Sequence, residues 1–495
     1  MNDELKMQTM LNCLIKFIIL NSSFIIFLSS CSVQKQIAKS ATKDVLNAAP
    51  LQKAHVGISI YEPATNKYWY DYQGDKYFVP ASNVKIPTCY AAMKYLGDSL
   101  MGLRYSYGIH NDSSQVLALE GTGDPTFFHP DFKANRVLDH LKKILLRKKL
   151  QLAIFDTVFK DDQWGNGWSW DDYEAGYMAE RSVLPVFGNI VNVKIIDSSL
   201  RKDETYKGEN FFKIFETSNI FFDYLVNYNN WFMSKEERLA AKPKIKIKRK
   251  LESNDFRPYT STDEFTNTTY SISTHGYNLA RKILEDTLGM KIGEIFNWTD
   301  SITLVYNCPN CKSQKIIFSD WHIIYSQPTD SVLKPMMHRS DNFFAEQTLL
   351  MVSNERLGIM NDEKIIDTLL KTDFKDLPQK PGWADGSGLS RYNLFSPKDF
   401  VFILNKMKDE FGMERVKVIF PTGGEGTLAN YYVSDSNYIY AKTGTLSGVV
   451  ALSGYLYTKK GKELIFSVLV NNHQASGTEV RRAVEKFLQS IRKKY

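Results

Sequence analysis

Three short motifs, in one order and far apart, constrain this 495-residue chain more than any other feature. They are Ser82-Asn83-Val84-Lys85, then Ser340-Asp341-Asn342, then Lys442-Thr443-Gly444 followed by Thr445. On a helix, positions i and i+3 share a face, so the Ser82 hydroxyl and the Lys85 amine lie on the same side. A serine hydroxyl is a weak nucleophile until a neighbouring base takes its proton. Lys85 serves as that base only if burial or a nearby cation lowers its pKa toward neutrality. A serine at a helix start also sits in the positive end of the helix dipole, which favours an anion at an attacked carbonyl. Pro87 removes one helical hydrogen bond, but within the first turn or so, where the loss is tolerable. Each triplet alone has a bland reading, with Ser340 capping a helix and Lys442-Thr443-Gly444 forming a strand edge. Their joint occurrence in order is hard to assign to chance.

The texture of the chain places these motifs on elements. Val56 to Tyr61 and Tyr68 to Tyr72 read as strands around a turn at Pro63-Ala64-Thr65-Asn66. Ser82 to about Leu96 is helical, as is Leu138 to Leu146. From about Tyr105 to Phe318 the chain turns to short strands and aromatic loops. Lys242 to Lys250 alternates basic and apolar residues, the period of a strand with one charged face. That face is either simply solvated or a contact for an anionic envelope polymer. Helical periodicity returns near Phe343 to Asn354, and the C-terminus reads as strands at Val449 to Leu456 and Leu464 to Val470, then a helix from Gly477 to Arg492. An α/β domain split by a long insertion is the simplest architecture. The expected boundaries are residues 48–104 with 319–495 for the catalytic domain and 105–318 for one or two inserted, mostly β domains.

The N-terminus reads as an export signal. Lys6 and Lys16 precede the apolar run Phe17 to Leu28, which is too short and too interrupted for a comfortable membrane span. Leu28-Ser29-Ser30-Cys31 is similar to the bacterial lipobox, in which Cys31 would carry lipid and begin the mature chain. Residues 1–31 are therefore expected as a lipoprotein signal and residues 32–47 as a flexible tether. The protein would be extracytoplasmic and held to a membrane. Of the five cysteines, Cys89 fits a buried small hydrophobe. Cys308-Pro309-Asn310-Cys311 suits a local disulfide, free thiols or half a metal site. The net charge of +7 does not demand nucleic acid. The eight histidines show no H-E-x-x-H spacing, and no Walker or Rossmann glycine pattern stands out, so neither metal nor cofactor is expected.

S-x-x-K, S-D-N and K-T-G together are the signature of class A β-lactamases and penicillin-binding proteins. The flanks sharpen this: Gly121-Thr122-Gly123-Asp124-Pro125, Trp168-Ser169-Trp170-Asp171-Asp172, Ser340 to Glu346, Asp385 to Arg391, Gly426-Thr427-Leu428, and Ala441 to Thr445 with Leu452 to Tyr455. From Val56 onward the chain resembles the D-alanyl-D-alanine carboxypeptidase/endopeptidase group, the class C low-molecular-mass penicillin-binding proteins. Their long insertion between the first and second motifs matches the gap from Ser82 to Ser340. The resemblance implies a serine β-lactamase/DD-peptidase fold, an antiparallel sheet flanked by helices. It implies peptidoglycan D-Ala-D-Ala peptides as substrates and β-lactam antibiotics as covalent inhibitors. Ser82 would be the nucleophile, Lys85 the base, Ser340 the proton relay and Asn342 the holder of the substrate amide. Lys442, Thr443 and Gly444 would form the carboxylate-binding strand, and the N–H groups of Ser82 and Thr445 the oxyanion hole. Asp385-Gly386-Ser387 would support or touch the site, while the two inserted signatures would serve turns and packing. The chain departs from the family at Tyr177-Met178-Ala179-Glu180, where Tyr-x-Ala-Pro is usual, and at Ser326-Gln327-Pro328-Thr329, where Ser-Pro-Pro-Leu is usual. A β-lactamase or esterase on the same scaffold, or a silent envelope-binding module, are the competing readings.

Overall fold

A computed structural model describes residues 33–110, 115–147, 150–193, 195–197, 211–214, 224–227, 245–261, 268–296, 302–305 and 314–495. Cys31 with the signal sequence, and Cys308 with Cys311, lie outside the described residues. The chain forms two compact units. The first comprises Met1–Asn83, Leu377–Gly382 and Leu394–Tyr495, and the second Val84–Asp376 and Trp383–Asn393.

The first unit is built on a five-stranded antiparallel sheet in the order Ile439–Leu446, Val449–Tyr457, Glu463–Asn471, His55–Glu62, Lys67–Tyr72. The strand Val449–Tyr457 is buried along nearly its whole length, because helices cover both sides of the sheet. Side chains alternate across a strand, so its two faces meet different partners. Ile58, Ile60, Leu452, Phe466 and Val468 pack with Val480, Val484, Phe487 and Leu488 of the helix Gly477–Lys494. On the other face, Tyr455 donates to the Leu404 carbonyl of the helix Pro397–Phe411 at 2.7 Å. Both helices start where the sequence can satisfy their free N–H groups. Ser396 with Asp399, and Ser476 with Glu479, form reciprocal capping boxes.

Residues 33–46 correct the expectation of a flexible tether. They are helical, ending in the π-helical turn Thr42–Leu46. Ile37, Ala41 and Val45 are buried in the core that holds the C-terminal helix. The spacing of four between these three residues puts them on one helix face, a signal masked by the polar residues around them.

The second unit joins four helices, Lys85–Tyr95, Thr329–His338, Asn342–Leu357 and Asp362–Lys371, to a seven-stranded mixed sheet. The sheet runs through Gln314–Phe318, Ile302–Val305, Ile292–Phe296, Gln151–Phe155, Gln115–Gly121, Ser99–His110 and His322–Pro328. Gln314–Phe318 also pairs with the far end of Ser99–His110, so the sheet closes on itself. The strand Ser99–His110 runs straight through the boundary that the sequence put at residue 104. Two smaller two-stranded sheets and one three-stranded sheet also occur among the described residues of this unit.

The basic strand has two different faces. Lys246, Lys248 and Lys250 are exposed, but Arg249 is buried 3.6 Å from the buried Glu180. Glu180 also accepts from the Thr274 N–H and hydroxyl. The departure from Tyr-x-Ala-Pro thus puts a carboxylate at 180 and pairs it, as a buried charge requires. Cys89 is buried, as its helical setting suggested.

Candidate active site

Ser82 and Lys442 to Thr445 belong to the first unit, and Lys85, Ser340 and Asn342 to the second. The chain passes from the 3₁₀ turn Ala81–Val84, which carries Ser82, directly into the helix that begins at Lys85.

In the first unit, the strand Ile439–Leu446 carries the third motif against the turn that carries Ser82. Gly444 makes this approach possible: a Cβ there would lie 2.5 Å from the Pro80 carbonyl oxygen and 3.2 Å from the Ala81 Cβ. Asn83 anchors the turn from below, donating to the Ser453 hydroxyl at 2.7 Å, which in turn lies 2.8 Å from the Ser467 hydroxyl. Lys442 is buried, and its Nζ donates to the Thr443 carbonyl at 2.7 Å. The Thr443 hydroxyl bonds Thr427 at 2.8 Å, which gives the Gly426-Thr427-Leu428 signature its place. Thr445 is exposed, and its hydroxyl accepts from Arg481 on the C-terminal helix.

In the second unit, Lys85 is fully buried. Its Nζ donates to Asn342 Oδ1 at 2.6 Å and to the Ser387 carbonyl at 2.7 Å. Burial pulls its pKa down to about 8, while the carboxylates of Asp385, Glu346 and Asp341 pull the other way. The lowering therefore comes from desolvation, one of the two causes the sequence argument had allowed. Asn342 opens the helix Asn342–Leu357, and its Nδ2 donates to the Tyr177 carbonyl at 2.9 Å, which fixes which face of the amide meets Lys85. Ser340 is half-buried and left-handed, with φ 60°. The capping role open to it belongs to Asp341, whose carboxylate accepts from the Phe344 N–H at 3.2 Å.

The Asp385-Gly386-Ser387 loop is a support that also touches Lys85. Asp385 is fully buried, and its two oxygens accept from Gly388 N, Ser390 N, Asn393 Nδ2 and Trp168 Nε1 at 2.7–3.0 Å. Trp168 of the inserted signature is thereby tied to this loop. Gln347 similarly binds the Gly123 and Ser182 carbonyls, tying the Gly121 to Pro125 turn to the central helix. Sequence reasoning gave no role to Glu346, Arg181, Thr427 or Arg481. Two of them, Glu346 and Thr427, sat inside quoted signatures, but only three-dimensional contact shows what they hold. No group of three or more His, Cys, Asp and Glu suited to a metal ion occurs among the described residues.

The model of the D-Ala-D-Ala carboxypeptidase 3 (S13) family matches residues 38–491. The chain belongs to that family. It is similar to the D-alanyl-D-alanine carboxypeptidase DacB of Haemophilus influenzae, 24% identical over 480 residues, which span 89% of this chain and 90% of the relative. It is similar also to the D-alanyl-D-alanine carboxypeptidase of Actinomadura sp. (strain R39), 25% identical over 462 residues, or 87% of this chain and 80% of the relative. The fold is shared with the crystal structure of penicillin-binding protein 4 (dacB) from Haemophilus influenzae, at a TM-score of 0.65 and 18% identity, covering 92% of this chain and 98% of that one. A second structure of that protein holds a β-lactam, and matches at a TM-score of 0.60. The S13 chain is thus a serine-type D-Ala-D-Ala carboxypeptidase acting on the cell wall, and its α/β fold is the one expected from the motifs.

Proposed function

We propose that this S13 carboxypeptidase works through an acyl-enzyme on Ser82. The Ser82 Oγ attacks the carbonyl carbon of the penultimate D-alanine as Lys85 Nζ takes its proton. The negative oxygen of the tetrahedral intermediate is held by the backbone N–H groups of Ser82 and Thr445, an interaction class worth about 3–4 kcal/mol per donor. Collapse breaks the peptide bond, and the departing D-alanine amine receives a proton through Ser340. Water then hydrolyses the Ser82 ester. Asn342 holds the substrate amide, while Lys442 and Thr443 receive the terminal carboxylate beside Gly444. A β-lactam enters the same first step and leaves a slowly hydrolysed adduct.

The observation that carries this reading is Lys85 itself. A fully buried lysine whose Nζ donates to the Asn342 and Ser387 oxygens, and whose pKa lies near 8, is suited to proton exchange at working pH. The same acylation serves an endopeptidase, with a cross-linked amine leaving in place of free D-alanine. We propose further that Cys31 is lipidated and becomes the first mature residue, which would tether the extracytoplasmic enzyme to a membrane. Incubation with penicillin followed by peptide mapping tests the acyl-enzyme. One adduct on the peptide containing Ser82, absent from Ser82→Ala, is expected, and an adduct elsewhere would contradict it.

A further inference from the structure

Glu346 lies one turn into the helix Asn342–Leu357 and is 2% exposed. Its Oε1 accepts from the Ser387 N–H at 2.7 Å, and the carbonyl of that same residue accepts from Lys85 Nζ. The other oxygen, Oε2, is buried with no hydrogen-bond partner and faces Arg181 at 3.8 Å. Arg181, 1% exposed, spends its donors elsewhere, on Asp362, Asp161 and the carbonyls of Asp162 and Trp164. Gly386 seats the loop on the helix, since a Cβ there would meet the Ala345 carbonyl oxygen at 2.8 Å. Packing alone does not call for this arrangement, because an incompletely satisfied buried carboxylate is costly and an apolar side chain of similar size is not. What the carboxylate provides is an ionisable acceptor on the N–H of the same residue whose carbonyl holds Lys85.

We propose that Glu346 is a positioning residue for Lys85: it fixes the Ser387 peptide that aims the lysine, and its charge sets the pH at which the lysine gives up its proton. This rests on the reading of Lys85 as the base. The charged groups around this pair come from every neighbouring element: Asp385 on the loop, Arg181 and Asp362 act on Glu346, Asp341 at the start of its helix acts on Lys85, and Asp161 acts on Arg181. Burial and the Asp385 charge raise its carboxyl to about 8, against Arg181 and the Ser387 N–H. The environment shifts both groups toward their neutral forms, Glu346 upward and Lys85 downward. Ionised Glu346 favours the lysine cation, and neutral Glu346 favours the free base.

The test is the second-order rate of acylation by a fluorescent penicillin from about pH 6 to 10 for the chain with Glu346→Gln, Glu346→Asp and Lys85→Ala. Glutamine keeps an acceptor for Ser387 but loses the charge, so the acid limb should move about one unit lower. Aspartate keeps the charge but is one methylene shorter, so the high-pH plateau should fall about tenfold with the limb in place. A merely structural role would lower both plateaus and move neither limb. An unmoved limb in Glu346→Gln overturns the charge role. If that variant does not fold, a wild-type plateau in Glu346→Asp overturns the positioning role. Full acylation of Lys85→Ala would instead sink the underlying reading of the base.

Discussion

Gly444 stands so close to Pro80 that a Cβ on it would lie 2.5 Å from the Pro80 carbonyl oxygen. The two residues are 364 positions apart in sequence, yet their contact sets the distance between the third motif and the turn that carries Ser82. An alanine here meets backbone on one side and Ala81 on the other, and neither yields without moving the turn. Gly444→Ala should cost about 1–3 kcal/mol in stability and slow penicillin acylation by about 100-fold, the effect of an ångström of misplacement. Stopped-flow labelling beside a thermal melt measures both. Wild-type labelling in the variant would show that the approach is not needed.

The pH profile of acylation should carry the signature of Lys85. Its proton is released at about 8, against an ordinary value of 10.5. The cation cannot accept the Ser82 proton, so the rate should climb with pH, reach half its plateau near 8 and level off above. A limb near the ordinary lysine value would mean that Lys85 is not desolvated in the working enzyme.

Asp385 offers acceptor oxygens to four donors and no hydrogen of its own. Asp385→Asn turns an amide N–H₂ toward two of them. A loss of about 2–3 kcal/mol, read by urea unfolding, is expected. Acylation should fall with it, because the same loop presents the Ser387 carbonyl to Lys85. Unchanged stability would mean that the four contacts are dispensable.

The helical segment at 33–46 belongs to the folded core, through Ile37, Ala41 and Val45. Ile37→Ala should cost about 2–5 kcal/mol, and a chain started at residue 48 should lose more than that. Equal unfolding midpoints for the variant and the full mature chain would restore the tether.

The sequence was most legible where chemistry and periodicity coincide. The pair Ser82 and Lys85 stood out because its i, i+3 spacing has a chemical reason, Ser340, Asn342 and Lys442 to Thr445 stood out only through a family resemblance, and the alternating C-terminal strands were legible because their apolar pattern is unbroken. The roles of Arg181 and Glu346 were not readable, because they depend on contacts between segments 165 residues apart that no local pattern records. Arg249 misled for the opposite reason: in Lys242 to Lys250 it looks like one more solvated charge, and only the carboxylate at Glu180 explains its burial. The segment at 33–46 misled because Ile37, Ala41 and Val45, interspersed with lysines and glutamines, resemble a linker until the core they enter is known.

The central claim, hydrolysis of a D-Ala-D-Ala bond through Ser82, is tested most directly with muropeptides. Residues 32–495, wild type and Ser82→Ala, would be incubated with pentapeptide monomers and cross-linked dimers, and the products weighed by mass spectrometry. The account predicts loss of one D-alanine from the monomers, dimer cleavage or both, by wild type alone. Equal turnover by Ser82→Ala, or no turnover by folded wild type, would contradict it.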